Sequence, residues 1–174
     1  MPNPDPTPEP LRIAVLTVSD SRTPETDKSG RLLAERAEGC GHTLVARQIV
    51  VDDRYAIRAW ASQWIADPSV DAVLVTGGTG VTGRDVTPEA VRVLLDREIE
   101  GFGELFRQLS YEEIGPSTVQ SRALGGTANG TLLFVLPGSS GACATAWDGI
   151  LQSQFDARTK PCNFVTLLPR MQDE

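Results

Sequence analysis

Histidine occurs once in this chain, at His42, and cysteine three times, at Cys40, Cys143 and Cys162, with no CxxC pair among them. So small a supply of imidazole and thiolate argues against a tetrahedral zinc centre and leaves a cysteine–histidine dyad poor material. The thiols are expected to stay free in a reducing cytoplasm. Long apolar runs are missing too. None approaches the roughly 18 residues of a membrane span, and no basic segment leading into an apolar one opens the chain, so neither a span nor a signal peptide is expected. Positive charge is in deficit: 16 lysines and arginines face 23 aspartates and glutamates, for a net charge of -7. That balance argues against duplex nucleic acid or an anionic membrane as the main partner, since both select a basic surface. An anionic ligand must therefore be held by local groups: backbone N–H groups of glycine loops, helix N-termini, a few arginines or a divalent cation. A GxxxxGK[ST] phosphate loop is absent from the sequence.

What is present is an alternation of apolar runs and helical patterns. Residues 1–10, MPNPDPTPEP, carry five prolines and are expected to be a disordered lead-in. Residues 11–174 then form a single domain, long enough for a continuous core. LRIAVLTVS (11–19), TLVARQIVV (43–51), DAVLVT (71–76) and TLLFVLPG (131–138) read as four strands. Helices are expected after each: one carrying Leu32, Leu33, Ala37 and Cys40, and one carrying Ile57, Trp60, Ala61, Trp64 and Ile65. A third opens with Thr87 as N-cap and Pro88 as first position and runs to about Asp96, a fourth spans Phe102 to about Glu113, and a last one carries Cys143, Trp147, Ile150 and Leu151. The tryptophans lie among aliphatics and read as core or subunit contacts, and His42 is assigned no chemistry. Four strands alternating with helices indicate an α/β fold, helices layered on a mostly parallel sheet.

Ligands of such folds sit at the carboxyl ends of the strands. That rule gathers three loops on one rim: 19–30, 76–87 and 137–141, with Asp52 and Asp53 after the second strand. The middle loop belongs to VTGGTGVTGRDVTPEA, with three glycines within the four residues Gly77–Gly80. Each glycine costs about 0.5–1 kcal/mol of chain entropy that a mere connector need not incur, so something is expected against this backbone. Gly78, Gly80 and Gly83 also spell the GxGxxG of dinucleotide-binding oxidoreductases. In that fingerprint the helix opens inside the glycine motif, whereas here Thr87-Pro88 delays it beyond Gly83, so the match is weak.

These segments carry a family resemblance. TVSDSR (17–22), DKSG (27–30), TGGTG (76–80), RDVTPEA (84–90), SRA (121–123) and LPGS (136–139) stand in the order of the MoaB/MogA family of molybdenum cofactor biosynthesis proteins. EGFGELFRQLSYEEIGPSTVQSRA and KPCNF most resemble its MoaB branch. The likeness spans about Leu11 to Phe164. It implies a three-layer α/β sandwich around a mostly parallel sheet, a homo-oligomer (a hexamer built from trimers, or a trimer), and molybdopterin and ATP as partners. Active members adenylylate molybdopterin with Mg²⁺, releasing pyrophosphate.

By that resemblance Asp53 and Asp85 occupy the positions of the catalytic, metal-holding carboxylates; Asp52 is adjacent, and assignment within that pair stays open. Asp53 read without the family is equally a helix N-cap, and Asp85 a solvated loop charge. Gly77, Gly78, Thr79 and Gly80 would present N–H groups to nucleotide phosphate, with the Thr76 and Thr79 hydroxyls as further donors. Ser19, Asp20 and Ser29 line the neighbouring rim, or simply turn and cap. Ser121 and Arg122 would bind the pterin phosphate, although a lone arginine is more often a surface charge. Pro137, Gly138 and Ser139 end a strand where a helix opens and could receive an anion. A non-catalytic pterin-binding scaffold is the principal alternative to the enzyme, and a nicotinamide oxidoreductase a distant third.

Overall fold

The computed structural model describes residues 9–171. Apart from residues 9 and 10, the proline-rich lead-in lies outside the described residues. The elements run β1 (Arg12–Val18), α1 (Lys28–Gly39), β2 (Thr43–Val50), α2 (Arg54–Ala66), β3 (Ala72–Thr76) and α3 (Thr87–Arg92). They continue with β4 (Arg97–Glu98), α4 (Glu100–Ile114), a 3₁₀ segment (Gly115–Gln120), β5 (Leu124–Ala128), β6 (Thr131–Leu136) and α5 (Ser140–Ala146). Beyond α5 the helical path goes on through a wider π turn at Trp147–Leu151.

A six-stranded sheet in the order β2-β1-β3-β6-β5-β4 forms the middle layer. The pairs β1–β2, β1–β3 and β3–β6 are parallel. Every residue of β3 and of β6 is buried, as expected of strands covered on both faces. Alternation then sorts their side chains into two cores. Ile13, Val15, Leu74 and Phe134 pack with Leu33 of α1, Phe106 of α4 and Cys143 of α5 on one face. Ala14, Leu16, Val73 and Val75 pack with Ile57 and Trp64 of α2 and Val91 of α3 on the other. Each fully buried aliphatic contributes about 1.5–3 kcal/mol, so the two cores fix which loops meet at the sheet's end. The three-layer sandwich is as the sequence indicates.

Two strands escape the sequence pattern. β4 has two residues, too few for any periodicity. β5 reads LGGTA and runs antiparallel between β4 and β6. Its glycines look like a turn, yet they are there because neighbours press on the backbone: a Cβ on Gly125 would stand 2.8 Å from the Phe134 ring, and one on Gly126 2.6 Å from the Arg97 carbonyl oxygen. α3 is shorter than expected, ending at Arg92. It also starts one residue earlier than a Thr87 cap implies: Val86 takes the cap position, while the Thr87 amide donates to the Gly78 carbonyl at 3.1 Å.

His42 is more than an incidental loop residue. Its Nδ1 accepts the Leu11 amide at 3.1 Å, and its ring meets Trp147 and Phe155 edge-on. Burial holds its pKa below the usual histidine value, against an opposing pull from Asp156. The folded pKa is the lower one, so this contribution is complete above the ordinary histidine pKa of about 6.5 and is lost as pH falls through the folded value. Urea unfolding from pH 7.5 down to 5 is expected to show the wild type losing its stability advantage over a His42→Gln variant. A constant difference across that range would contradict the assignment.

Candidate functional site

β1, β3 and β6 are sheet neighbours, so the loops leaving their carboxyl ends lie side by side. The chain leaves β1 through α1 to β2 on one side, then returns through α2 to β3 on the other. Strand order therefore reverses between β1 and β3, and at such a switch point the diverging loops open a crevice. A pocket of about 330 Å³ occupies it. Ser19, Ser29, Gly77, Gly78, Gly138 and Ser139 line it, together with Thr76.

The glycine loop answers what lies against its bare backbone. Gly77 has φ +105°, and a Cβ there would overlap the Val18 carbonyl oxygen at the end of β1. Gly78 has φ +65°, and its Cβ would overlap the Thr87 hydroxyl and stand 3.2 and 3.3 Å from the two carboxylate oxygens of Asp52. A Cβ on Gly80 would be 2.6 Å from Asp85 Oδ2. Gly78 and Gly80 thus leave the space into which two acids fit, and Gly77 leaves room for the end of β1.

Of the adjacent acids, Asp53 is the cap: its Oδ1 accepts the Tyr55 and Ala56 amides at 3.0 and 2.8 Å, opening α2. Asp52 is the one that faces the loop. Its Oδ1 is buried without a hydrogen-bond partner, as is the Thr87 hydroxyl on the same side of Gly78. Burial raises the Asp52 pKa, the Val86 amide opposes this, and the negative charges of Asp85 and Asp20 raise it further. Asp85 is held the other way. The Thr82 hydroxyl donates to its Oδ2 at 2.6 Å and the Thr82 amide at 3.0 Å, and the hydroxyl leads in lowering its pKa. Asp20 accepts the Asp52 amide at 3.0 Å and pairs with exposed Arg84; both lower its pKa.

A raised, unpartnered buried carboxylate oxygen beside a second carboxylate is a place where a hard cation is favourable. Among the described residues no three acids, histidines or cysteines gather into a ready cage. Asp52 and Asp85 would hold such an ion as a half-shell, leaving its remaining positions to ligand oxygens and water. That suits magnesium, which usually takes only one or two carboxylates.

Other expected site residues have different work. Arg122 is engaged within the protein. Its Nε donates to the Gly80 carbonyl at 2.8 Å, one terminal nitrogen donates to the Asp85 carbonyl at 2.7 Å, and the other pairs with Glu89. Two of these contacts fasten the glycine loop and the third ties it to α3, so Arg122 positions Asp85. The Thr76 hydroxyl donates to the Pro137 carbonyl at 2.9 Å and is no longer a free donor; Thr79 is buried. Ser19 accepts the Arg22 amide at 3.1 Å, and Ser139 caps α5 by accepting the Ala142 amide at 3.2 Å. Cys143, beneath Thr76, has its thiol pushed up to about 11 by burial, which leaves it un-ionised and inert.

Asp85 and Arg122 border a second opening of about 390 Å³, walled also by Val81–Gly83. Ser121, whose buried hydroxyl has no partner, borders a third of about 370 Å³ with Arg92 and Arg107. The glycine loop leads from the first opening to the second, with Arg122 shared by the second and third. Arg22 and Asp27 also belong to this rim, although neither is among the site residues expected from the sequence. Arg22 lines the switch-point pocket, and fully buried Asp27 lies behind it. Their signal was available: a cation in the first loop of an acidic chain, and an acid directly before a helix. No helix opens inside the glycine motif, as α3 begins only at Thr87, so a dinucleotide fingerprint gains no support.

Comparison with known proteins bears on the fold and the family. Residues 14–157 match the family described as "Probable molybdopterin binding domain". Molybdenum cofactor biosynthesis protein B of Escherichia coli (strain K12) is 58% identical over 155 residues, covering 89% of this chain and 91% of that protein. Its counterpart in Bacillus subtilis (strain 168) is 46% identical over 145 residues, covering 83% and 85%. A crystal structure of molybdenum cofactor biosynthesis protein B superposes with a TM-score of 0.87 at 42% identity, over 97% of this chain and all of that one. That of the tungsten cofactor synthesizing protein MoaB from Pyrococcus furiosus gives 0.76 at 35% identity, over 96% of this chain and all of that one. From the site, the fold and these likenesses together, the chain belongs to the MoaB/MogA family of molybdenum cofactor biosynthesis proteins.

Proposed function

We propose that this protein adenylylates molybdopterin: a terminal phosphate oxygen of the pterin attacks the α-phosphorus of ATP, the bond to the β-phosphate oxygen breaks, and pyrophosphate leaves. The observation that carries the reading is Asp52, its buried Oδ1 unpartnered against Gly78 and its charge coupled to that of Asp85. Joining two polyanions requires neutralisation and alignment more than covalent chemistry. Magnesium, when bound, supplies the neutralising charge that an acidic chain otherwise lacks. The chain's own residues do the rest. Gly77 and Gly78 let phosphate approach the backbone, Asp52 and Asp85 hold the cation's protein side, and Arg122 keeps Asp85 and the loop in register. Ser121, in the opening beyond Arg122, is the hydroxyl available to the pterin side.

The reading includes assembly and location. Leu105, Tyr111 and Ile114 of α4 and Val119 after it are exposed apolar side chains, which supports a homo-oligomer, a hexamer or a trimer, as the family resemblance implies. Among the described residues no helix is long and apolar enough to cross a membrane, and all three cysteines are unpaired, which supports a cytoplasmic enzyme.

Pyrophosphate release from ATP tests the reaction. Release is expected only when the wild-type protein, molybdopterin and Mg²⁺ are all present. Tight molybdopterin binding with no pyrophosphate under those conditions would instead make the protein a non-catalytic carrier of the pterin.

A further inference from the structure

We propose that Arg22 is the side chain that grips the nucleotide's phosphates in the switch-point pocket, and that buried Asp27 is the positioning residue that aims it. This rests on the reading that the pocket receives a nucleotide triphosphate. Arg22 is the one charged side chain among the described residues lining that pocket. Its guanidinium is tethered at two points, from the first turn of α1 and from the loop after β6: one terminal nitrogen donates to the Ser29 hydroxyl at 2.6 Å, the other to the Gly138 carbonyl at 3.0 Å. An arginine carries five N–H groups in a rigid fork, and these contacts use two, so the rest remain for a ligand. The tethers also hold the fork beside Gly77 and Gly78, the backbone that phosphate must approach.

Asp27 anchors the fork without cancelling its charge. Its carboxylate is fully buried and caps α1 by accepting the Gly30 amide at 2.9 Å, while the Thr17 hydroxyl donates to it at 2.8 Å. Arg47 makes the close ion pair, at 2.8 Å. Arg22 stands further off, at 3.6 Å, and reaches Asp27 through Ser29. Two guanidiniums therefore share one carboxylate. Arg47 neutralises Asp27, and Arg22 is left with a net positive charge facing the pocket of a chain that is otherwise acidic. Burial alone would raise Asp27, but Arg47, the Gly30 amide and Thr17 outweigh it and keep the pKa low, so the arrangement stays ionised at neutral pH. Gly30 completes the design, since a Cβ there would overlap Asp27 and Thr17.

Calorimetric titration of the full chain with ATP, inorganic pyrophosphate and adenosine tests this. Arg22→Ala is expected to weaken ATP and pyrophosphate by about tenfold or more, the scale of lost charge-assisted hydrogen bonds, and to leave adenosine unchanged. Arg22→Lys should restore part of the affinity, because it returns the charge without the fork. Ser29→Ala, which cuts the link to Asp27 and removes no charge, should raise the KM for ATP severalfold with kcat little altered. The Arg22 side chain is one-third exposed, so its variants are expected to melt close to the wild type; Arg22→Gln serves where alanine does not fold. If the wild type binds both anions and Arg22→Ala binds them equally well, the Arg22 assignment is wrong and the nucleotide reading stands. If the wild type binds neither ATP nor pyrophosphate, the nucleotide reading falls and takes this proposal with it.

Discussion

Asp52→Asn is expected to lower molybdopterin-dependent pyrophosphate release by about a hundredfold or more, a loss above that found for groups merely supporting a metal ligand, while the folded protein becomes no less stable. The two halves of that result have one cause. Asp52 is half-buried, with Oδ1 buried and unpartnered and its pKa raised, first by desolvation and then by Asp85 and Asp20. A carboxyl whose folded pKa is raised contributes stability that is complete below its unfolded pKa and lost as pH rises through the folded one. At neutral pH the ionised group is therefore a burden on the fold, and a neutral amide of the same shape removes it. Asp53→Ala is the matching control. It removes the cap on Tyr55 and Ala56 and is expected to cost about 1 kcal/mol of stability, leaving turnover per folded molecule unchanged. Kinetics and urea unfolding on both variants separate the pair: if Asp53→Ala abolishes turnover and Asp52→Asn does not, the assignment made from geometry is reversed. Asp85→Asn should lose activity without removing a stability burden of this kind, since the Asp85 pKa is lowered and not raised.

Gly77→Ala is expected to be the most damaging small substitution in the loop. The site requires φ +105°, which an L side chain rarely adopts, and the new Cβ would overlap the Val18 carbonyl oxygen. That oxygen belongs to the end of β1, whose residues pair with both β2 and β3, so it cannot give way as a flexible side chain would. Backbone strain and overlap together should cost about 3–5 kcal/mol, the range of severe single substitutions. Gly83→Ala lies in the same loop, with nothing within 4 Å of its Cβ and no positive φ. It should change stability by less than about 0.5 kcal/mol. Urea unfolding of the two variants measures the contrast, and equal stabilities would show that the loop's glycines serve flexibility and not close approach.

The contrast between these glycines shows where the sequence could be read and where it could not. β1, β3 and β6 are apolar runs whose burial follows from composition, and β2 at the sheet edge keeps strand-forming residues around Arg47 and Gln48, so the parallel half of the sheet and its rim are legible. β5 was not, because LGGTA owes its place to Phe134 and Leu95 pressing from other elements. The same holds within the site. The rim loops could be gathered by rule, yet which of Asp52 and Asp53 turns toward the glycines depends on where α2 begins, a matter of one residue. Arg122 looked like an anion ligand because its type suits one; only the neighbouring carbonyls of Gly80 and Asp85 show it already occupied. Arg22 is not singled out in the sequence, because its link to buried Asp27 runs through Ser29, a contact made only on folding.

Both substitutions bear on one arrangement, a glycine loop that seats Asp52 and Asp85 around a cation shared with a triphosphate. Crystals grown with ATP and Mn²⁺ in place of Mg²⁺ locate that cation by its anomalous scattering. A peak in direct contact with oxygens of Asp52, Asp85 and the nucleotide, with the phosphates over Gly77 and Gly78, is the predicted result. A peak bound elsewhere, or a nucleotide seated away from the glycine loop, would contradict the account.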